Sequence, residues 1–498
     1  MLFRSVTFVV LLAAAVGAQS FAIAPVSTPN PGPFTSIVSA LAVPSDTEAW
    51  AVGDFLDAAA VEKTLVIHYD GVSWTTVPSG NQGSQQDDLT GVATAAPGDV
   101  WAVGGSMFTN GTQITLIERL HAGQFQIVPS PNPTGPTGNQ RLNSVVALAP
   151  DNVWAVGWFI ATGTDLLPLV EHWDGSAWTI VPTTVTTGVI FINGVAAVGP
   201  NDIWAVGSSE GAVQKPFAMH WNGSTWKATP VPSPAGAPFA SFKGVGASAS
   251  GAVFAVGSSG NEKTLVERWT GSAWTILPSI DVSTQSRFFG ALVRSDSNVV
   301  VVGSSFLPSG FQKTLVEWWD GAAFHLVPSP NPFASNTPFA IAVPPCGPGW
   351  IVGGADQPPS LKTLALSFAG PGGAVSDLGG GCGAGGTLSV LGPVSPGLDV
   401  TLKLAGADPG ATVGVLNIAA AGPPTSCGPC ALVPYQLLVL LPIAGGGISF
   451  PATVPCDASL VGSTAVLQWT VGPTTSTGCP LLGAHRALSN AVQVTIGE

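Results

Sequence analysis

A unit of about fifty residues recurs seven times along the chain and constrains the fold more than any other feature. The clearest copy runs from Asp151 to Pro182. Its WAVG segment predicts one buried strand, PLVEHW and AWTIVP predict two more, and Asp174-Gly175 predicts a two-residue hairpin turn. An apolar segment before WAVG supplies a fourth strand. The WAVG-like strands begin at Trp50, Trp101, Trp154, Trp204, Phe254, Val300 and Trp350. This period and strand number predict a seven-bladed β-propeller over residues 19–375.

The last copy lacks a fourth strand of its own. It contains Trp350 and a strand from Thr363 to Phe368, but a Gly-rich segment follows directly. The segment Ile23–Pro31, IAPVSTPNP, resembles IVPSPNP at Ile127–Pro133, which follows a complete fourth strand. We therefore predict that the N-terminal segment supplies the missing strand, closes the ring non-covalently and removes an open sheet edge.

Long, variable segments connect strands two and three within a copy, and also join successive copies. In an up-and-down blade these connections emerge on one face of the ring, which we call the long-loop face, and that face is where we expect any binding. Five aromatic residues in these segments are candidate ligand contacts: Phe55, Phe108, Trp158, Phe159 and Phe306. Such side chains could stack on sugar rings or contact a protein partner. The alternative is that they fold back as the cores of their own loops.

Composition excludes several classes of partner. Only 9% of residues are charged, and the 62 Gly and 44 Pro favour short strands joined by tight turns over helices. With a net charge of −13 and 15 Lys and Arg in total, the chain has no basic stripe for nucleic acid or an anionic membrane surface. Arg4, an apolar run over residues 6–16 and the small residues before Ala18 predict a signal peptide over residues 1–18, with a membrane anchor as the alternative. We expect no membrane span in the mature chain, which is predicted to be secreted or displayed on the cell surface, with the periplasm left open.

The repeat stops near residue 376, and seven further strands are predicted over residues 376–498: 387–391, 399–404, 412–418, 436–441, 448–454, 465–471 and 491–496. A β-sandwich is the expected second domain. The chain has six cysteines, and export favours three disulfides among fifteen conceivable pairings. The disulfide candidates are Cys346, Cys382, Cys427, Cys430, Cys456 and Cys479. The Cys427–Cys430 tetrapeptide matches a dithiol redox motif by letter, but its Pro-rich flank predicts a turn instead of the helix start that the chemistry needs.

Polar residues that recur from copy to copy invite functional readings, but their repetition favours structural roles. His68, His172 and His220 share one repeat position on the third strand. Because equivalent residues on different blades converge only near the ring axis, we expect packing or hydrogen bonding there and predict no metal and no cofactor. A glutamate recurs beside this position in four copies, where a local partner is more common than an acid-base pair: Glu118, Glu171, Glu267 and Glu317.

The repeat resembles kelch-type propellers, the class that includes galactose-oxidase-like domains, over about residues 22–370. The glycine that ends strand two, doubled at Gly104-Gly105 and Gly353-Gly354, carries the resemblance together with five aromatic pairs: Tyr69/Trp74, Trp173/Trp178, Trp221/Trp226, Trp269/Trp274 and Trp319/Phe324. The resemblance implies the fold and no activity. The copper-radical oxidases of that class need a cross-linked tyrosine and cysteine, whereas Tyr69 and Cys346 are the sole propeller residues of those types.

Two further resemblances are partial. The Asp-Gly-Ser-x-Trp run is similar to the Asp-box turn of sialidase-like propellers, but Gly follows Asp directly and no arginine trio is evident, so a structural hairpin is expected. The C-terminal region, with its Gly-Cys-Gly opening and its ending from Leu488 to Gly497, resembles the terminal modules of exported planctomycete proteins. That resemblance implies secretion or surface display and no reaction.

These observations predict an exported, monomeric, non-enzymatic propeller that binds a glycan or protein through its long-loop face, with the sandwich as spacer or surface attachment. One alternative is a polysaccharide-active hydrolase or lyase with its site on the same face. An enzyme should bring two carboxylates, or a histidine and a carboxylate, together there. A structural component of the cell envelope is the other alternative.

Overall fold

The computed structural model describes residues 22–369, apart from 46, 162, 164, 261–262, 345–348 and 358–359, and the following segments beyond them: 375–379, 385–391, 399–407, 411–420, 425–427, 430–432, 437–442, 447–453, 464–472 and 487–495. Ala22–Ala369 form one compact unit, and the chain from Gly370 belongs to another. Along the sequence, the division between the two units falls a few residues before the predicted boundary at 375/376. The predicted signal peptide lies outside the described residues. Within the described part of the chain, no helix is long and apolar enough to cross a membrane.

The first unit consists of antiparallel four-stranded groups, which we call blades. Among the described residues there are seven of these groups, and two neighbouring pairs are linked by a single parallel bridge, Glu62 to Gln86 and Leu166 to Val189. The strands of blades 1 to 4 are β2 Ser36–Ser45, β3 Glu48–Leu56, β4 Glu62–Tyr69 and β5 Trp74–Thr76; β6 Gln86–Ala96, β7 Asp99–Met107, β8 Gln113–His121 and β9 Gln124–Ile127; β10 Gln140–Ala149, β11 Asn152–Ile160, β12 Leu166–Trp173 and β13 Trp178–Ile180; and β14 Val189–Gly199, β15 Asp202–Glu210, β16 Lys215–Trp221 and β17 Trp226–Thr229.

The remaining strands complete this unit. Those of blades 5 to 7 are β18 Ala240–Ala247, β19 Val253–Ser259, β20 Lys263–Trp269 and β21 Trp274–Leu277; β22 Ser286–Ser295, β23 Asn298–Phe306, β24 Gln312–Trp319 and β25 Phe324–Leu326; and β26 Ser335–Ala342, β27 Gly349–Gln357 and β28 Ser360–Ala369, with β1 Ala22–Val26 as the fourth strand. The first strands of all these groups line one central cavity. Blades arranged around a shared axis are the architecture of a β-propeller.

The glycine of the WAVG motif is required by a bulge in the first strand. In blade 2 the pairing shifts between Leu89 and Gly91, directly beside Gly104 of the second strand. A Cβ at Gly104 would lie 1.8 Å from the Asp88 carbonyl oxygen, so no side chain fits. The equivalent glycine of every other blade is equally close to a first-strand carbonyl oxygen. The glycine that carries the kelch resemblance therefore has a local steric cause.

Aromatic side chains interlock neighbouring blades. Trp101 of blade 2 lies 5.0 Å from Trp173 and 5.3 Å from Trp178 of blade 3, measured between ring centroids. The same contact joins three other pairs of blades: Trp154 with Trp221 and Trp226, Trp204 with Trp269 and Trp274, and Trp350 with Tyr69 and Trp74. Each such ring pair contributes about 0.5–1.5 kcal/mol beyond its buried area. The WAVG aromatic and the pair on the third and fourth strands are thus two halves of one inter-blade contact.

The N-terminal strand joins the last blade, as the sequence predicted. Residues Ala22–Val26 pair antiparallel with Ala365–Ala369 of β28. The Asn30 side chain then accepts a hydrogen bond from the Thr363 backbone N–H at 2.8 Å. Asn132 accepts the equivalent bond from Thr115 within blade 2, where the two residues are close in sequence. The PNP segment at the N-terminus therefore makes for the last blade the contact that its copies make within their own blades.

The Asp-Gly segments form the predicted hairpin turns. Asp174 Oδ1 accepts hydrogen bonds from the backbone N–H groups of Ser176 and Ala177, at 2.8 and 3.0 Å. Gly175 has a φ of 95°, in the left-handed region that favours glycine. The Asp-box-like run is therefore a local turn device.

The second unit contains ten strands among its described residues: β29 Val375–Gly379, β30 Gly385–Leu391, β31 Asp399–Ala407, β32 Val413–Ala420, β33 Thr425–Cys427, β34 Cys430–Leu432, β35 Leu437–Pro442, β36 Ile448–Thr453, β37 Thr464–Gly472 and β38 Ala487–Thr495. They form a five-stranded sheet in the order β29-β38-β37-β32-β35, a three-stranded sheet in the order β30-β31-β36 and the β33-β34 hairpin. One core cluster contains Leu402 and Leu404 of the smaller sheet and Leu416, Trp469 and Val492 of the larger one. Each of the seven predicted strands matches one of these elements.

The cysteine predictions fall largely outside the described residues. Cys346, Cys382, Cys456 and Cys479 lie there, so their predicted disulfides stay predictions. Cys427 and Cys430 lie opposite each other in the backbone register of the antiparallel strands β33 and β34. Cys427 ends one strand and Cys430 begins the next, so neither residue lies at a helix N-terminus, the feature that lowers a thiol pKa in dithiol redox motifs.

Four buried glutamates lie between blades. Glu118, Glu171, Glu267 and Glu317 are each 0% exposed, and the same repeat position holds the buried Ile67 in blade 1. Burial raises the pKa of Glu267 from 4.5 to about 8 and that of Glu171 well above its usual range. These side chains occupy core positions as neutral acids near pH 7.

Whether one of these glutamates has a backbone hydrogen-bond donor depends on the residue two positions after the proline that ends the preceding blade. Glu317 Oε2 accepts a hydrogen bond from the Ile280 backbone N–H at 3.1 Å. The Gly80 N–H occupies the equivalent position beside Glu118 and opposes the rise in its pKa, but neither Glu118 oxygen forms a hydrogen bond among the described residues. In both cases the N–H lies two residues after the proline that ends the previous blade. The expected local backbone bond is therefore present for one of the four glutamates.

Proline occupies the equivalent position before the other two glutamates. Pro131 precedes blade 3, which contains Glu171, and Pro232 precedes blade 5, which contains Glu267. Proline has no backbone N–H to donate. Among the described residues, neither carboxylate has a hydrogen-bond partner. Their elevated pKa values follow from burial alone.

Removal of the N-terminal strand should open the ring. A mature chain that starts at Ser27 lacks β1 and leaves the outer edge of β28 unpaired. We expect a lower melting temperature and concentration-dependent self-association, because an unpaired edge strand is a template for pairing with other chains. Differential scanning calorimetry and light scattering against a chain that starts at Ala22 test this. Equal melting temperatures would show that the ring does not depend on β1.

The buried glutamates should make stability fall with rising pH. The folded protein keeps a proton on Glu267 that the unfolded chain releases above about pH 4.5, so the free energy of unfolding decreases from that pH to about pH 8 and then levels off. Glu267→Gln should remove about 2–4 kcal/mol of this decrease. Denaturant unfolding at pH 5 and pH 8 measures it, with the exposed Glu210→Gln as matched control. An unchanged pH dependence in Glu267→Gln would contradict the assignment.

Candidate functional site

The prediction that the five aromatic candidates lie in the loops after strand two is wrong for four of them: Phe55, Trp158, Phe159 and Phe306 belong to the long-loop ends of second strands, because pairing with the third strand continues through them. Phe108 directly follows its strand, and all five residues are half-buried. Phe55 and Phe159 pack against the inter-blade cores. Trp158 contacts Phe191 edge-on at 6.0 Å between centroids. The Phe108 backbone N–H closes a turn with the Thr112 carbonyl, and the Phe306 ring lies under a guanidinium. Each of these side chains is partly packed against its own surroundings and partly exposed to solvent. The contacts of the five residues are separate and do not form one site.

Two other phenylalanines on the long-loop face are more exposed. Phe34, in the segment that enters blade 1, is 49% exposed, and Phe311, between the second and third strands of blade 6, is 43% exposed. Sequence reasoning missed both because it selected aromatics that directly follow strand two. The sequence signal that could have identified them is the turn-forming Gly and Pro next to each phenylalanine, in GPFT around Phe34 and PSGF around Phe311. Turn segments lie on the surface, so an aromatic residue in one can be exposed to solvent.

A central channel of 470 Å³ runs along the ring axis and is lined by three consecutive residues from each first strand. Its volume lies within the usual range for small-ligand sites. Each first strand starts on the long-loop face, so the first lining residue of each strand is nearest to that face. We call these first residues the upper ring: Ser39, Thr90, Asn143, Asn193, Lys243, Phe289 and Phe339.

Small residues below the upper ring keep the channel narrow. The middle lining residue is Gly, Ala or Ser in every blade. A Cβ at Gly244 would lie 2.2 Å from the Phe289 carbonyl oxygen, and one at Gly91 would lie 2.9 Å from the Ser144 Cα. Neighbouring first strands therefore approach too closely for larger residues. The channel's chemical variety is confined to the upper ring.

Part of the upper ring ties adjacent blades together. Asn143 Nδ2 donates a hydrogen bond to the Ile192 carbonyl of the next blade at 2.7 Å, and Asn193 Nδ2 donates one to the Phe242 carbonyl at the same distance. The Thr90 hydroxyl makes a similar bond to the next first strand. These contacts give the polar ring members a structural role along blades 2 to 5.

Lys243 departs from this pattern. It follows Asn193 in the ring, yet its side chain is exposed to the channel and donates no comparable bond to the next blade among the described residues. Enclosure by the surrounding protein lowers the pKa of Lys243, and the nearby positive charge of Arg287 lowers it further. Lys243 is the cation of the upper ring.

An aromatic wall adjoins these cations. Phe289 and Phe339 meet edge-to-face with centroids 5.0 Å apart. The Arg287 guanidinium lies 4.8 Å from the Phe306 ring and 5.7 Å from the Phe289 ring, within cation–π range. Phe306 thus supports Arg287, a role that the sequence did not indicate.

Three carboxyl groups act on one another at the long-loop ends of blades 1 and 2. Burial, reinforced by Glu62 and Asp88, raises the pKa of Asp54 to about 7, although Arg141 opposes the shift. Burial and Asp88 also raise the pKa of Glu62, whose Oε1 accepts a hydrogen bond from Gln86 at 2.9 Å. Asp88 forms an ion pair with Arg141 at 2.5 Å. Carboxylates in mutual electrostatic contact are the feature that an enzyme would need here.

The three histidines serve the blade interfaces. His68, His172 and His220 lie on Trp50, Trp154 and Trp204, with centroids 4.0, 4.2 and 4.3 Å apart. His220 Nε2 also contacts Asp202 Oδ1 at 2.8 Å. These contacts confirm the predicted packing and hydrogen-bonding role. In the part of the chain that the structure describes, no three His, Cys, Asp or Glu residues are arranged to hold a metal ion.

Comparisons with known proteins give little further guidance. No protein-family model and no curated protein match the chain. YCF48 bound to D1 peptide is 14% identical with a TM-score of 0.44, and the match covers 71% of this chain and 98% of that chain. The polysaccharide lyase Uly1 is 11% identical with a TM-score of 0.45, covering 68% and 91%. Trypanosoma rangeli sialidase in complex with sialic acid is 11% identical with a TM-score of 0.35, covering 92% and 87%. Similarities at such TM-scores do not bear on what this chain binds.

Proposed function

We propose that the protein is an exported, monomeric, non-enzymatic binding protein, in which a closed seven-bladed propeller recognises a glycan or protein at the cell surface through its long-loop face. The C-terminal unit acts as a disulfide-stapled sandwich that serves as spacer or surface attachment. No cofactor takes part. Residues 1–18 direct export and are removed.

The upper ring of the channel is the observation that carries this proposal. Hydrogen-bonding side chains, a lysine and two phenylalanines converge there in a cavity of 470 Å³. Ligand sites combine apolar surface with a few convergent polar groups in this way. Phe34 and Phe311 add exposed apolar surface on the long-loop face. These features favour recognition of a ligand that enters from the long-loop face.

A second candidate is a polysaccharide-active hydrolase or lyase. It is favoured by Asp54 and Glu62, two carboxyl groups with raised pKa values on the long-loop face. A carboxyl group with a pKa of about 7 can hold a proton for a leaving group or accept one from a substrate. Asp54 would transfer the proton in this reading, while Glu62 and Asp88 would keep its pKa high.

Binding is tested on a glycan array with the mature chain. Phe34→Ala together with Phe311→Ala should weaken binding by about tenfold, since each change removes exposed aromatic surface on the long-loop face. Val72→Ala is the matched control, because Val72 is 86% exposed on a tight turn at the opposite face. Trp158→Ala and Phe159→Ala test the flanking loop. Equal weakening by Val72→Ala would contradict the assignment to the long-loop face, and binding to no glycan would exclude the glycan reading.

Catalysis is tested by incubation of the mature chain with polysaccharides and detection of new reducing ends or unsaturated products. If the second candidate is correct, Asp54→Asn should abolish turnover, whereas the exposed Asp151→Asn should not. With Asp54 as the acid, turnover should fall as the pH rises through about 7, because the proton to be donated is lost. Absence of turnover on every polysaccharide, or full turnover by Asp54→Asn, would reject this candidate.

A further inference from the structure

Lys243 is a cation that lines the central cavity, and no carboxylate among the described residues forms an ion pair with it. The chain has 28 Asp and Glu against 15 Lys and Arg, so an ammonium group without a carboxylate is unusual here. A positive charge in a confined cavity attracts an anion, because the surrounding protein screens the charge less than water does.

The groups around Lys243 favour a saccharide as the carrier of that anion. The Ser39 hydroxyl and Asn193 Oδ1 are free of other hydrogen bonds among the described residues and can accept bonds from sugar hydroxyl groups. Phe289 and Phe339 offer an apolar wall to the C–H face of a sugar ring. A ring that carries both hydroxyl groups and a carboxylate matches this combination.

The charges on the long-loop face favour one orientation of such a ligand. Glu62 and Asp88 act electrostatically on Asp54 at the long-loop ends of blades 1 and 2, where Asp88 is paired with Arg141. Lys243 lines the cavity from blade 5. The carboxylate of a ligand is therefore directed toward Lys243, and its neutral hydroxyl groups face the other members of the upper ring.

We propose that the channel mouth binds an acidic saccharide, with the carboxylate of a uronate residue paired to Lys243. This deepens the proposed function, on which it rests, by naming the ligand class and the residue that selects it. Charge selection by Lys243 separates uronate-containing glycans from neutral ones of the same shape. Lys243 is a binding residue and needs no catalytic step.

The test is isothermal titration calorimetry of the mature chain with oligosaccharides of glucuronate, galacturonate and mannuronate, each beside its carboxyl-reduced, neutral counterpart. We expect at least one acidic probe to bind and its neutral counterpart to bind more weakly. Lys243→Gln should weaken binding by about 10- to 100-fold, as loss of a charge-assisted hydrogen bond does, while Lys243→Arg should largely preserve it. Lys227→Gln, at an exposed site on the fourth strand of blade 4, is the matched control and should have no effect.

Several outcomes would overturn the inference. Equal binding of acidic and reduced probes, or unchanged binding by Lys243→Gln, would remove Lys243 as the selecting residue but leave glycan binding intact. A peptide with a free C-terminal carboxylate that binds in a Lys243-dependent manner, while no saccharide does, would assign the site to protein ligands. Binding of no acidic probe alongside neutral hits on the glycan array would reject the inference alone. Binding of no glycan, either in calorimetry or on the glycan array, would reject the glycan-binding function as well.

Discussion

The contact between one blade's WAVG aromatic and the aromatic pair of the next blade holds the propeller together. Trp101, between Trp173 and Trp178, is a clear example. A blade cannot bury both faces within itself, so its neighbours must supply the missing surface. This requirement explains why tryptophan, glycine and the Asp-Gly turn recur, and why the stacked histidines follow the same period. These residues recur because every blade interface requires the same packing contacts.

A ring assembled from such contacts must still be closed. The N-terminal strand Ala22–Val26 completes the last blade, and Asn30 reproduces there a contact that sequence-adjacent residues make elsewhere. Closure thereby couples the two ends of the propeller and protects the outer edge of β28.

Chemical variety appears where the repeat permits it. The position below the upper ring admits only small residues, because neighbouring first strands nearly touch at Gly244 and Gly91. The upper ring has no such limit and holds Ser, Thr, Asn, Lys and Phe. The cation at Lys243 results from these differences between copies. The asymmetry of the upper ring is thus a departure from the symmetry of the scaffold.

The sequence by itself determined the repeat, the strands, the turns and the partner of the last blade, since hydrophobic pattern and Asp-Gly turns act over a few residues. The structural role of His172 also followed from its repetition. Tertiary structure alone decided the site. Lys243 is a single residue at a first-strand position that holds Ser, Thr, Asn or Phe in the other blades, and its significance appears only when seven first strands meet at one axis. The glutamates show the same limit. The Ile280 N–H donates a hydrogen bond to Glu317, whereas Pro131 has no N–H to donate to Glu171, and both relations cross a blade interface that the sequence does not display.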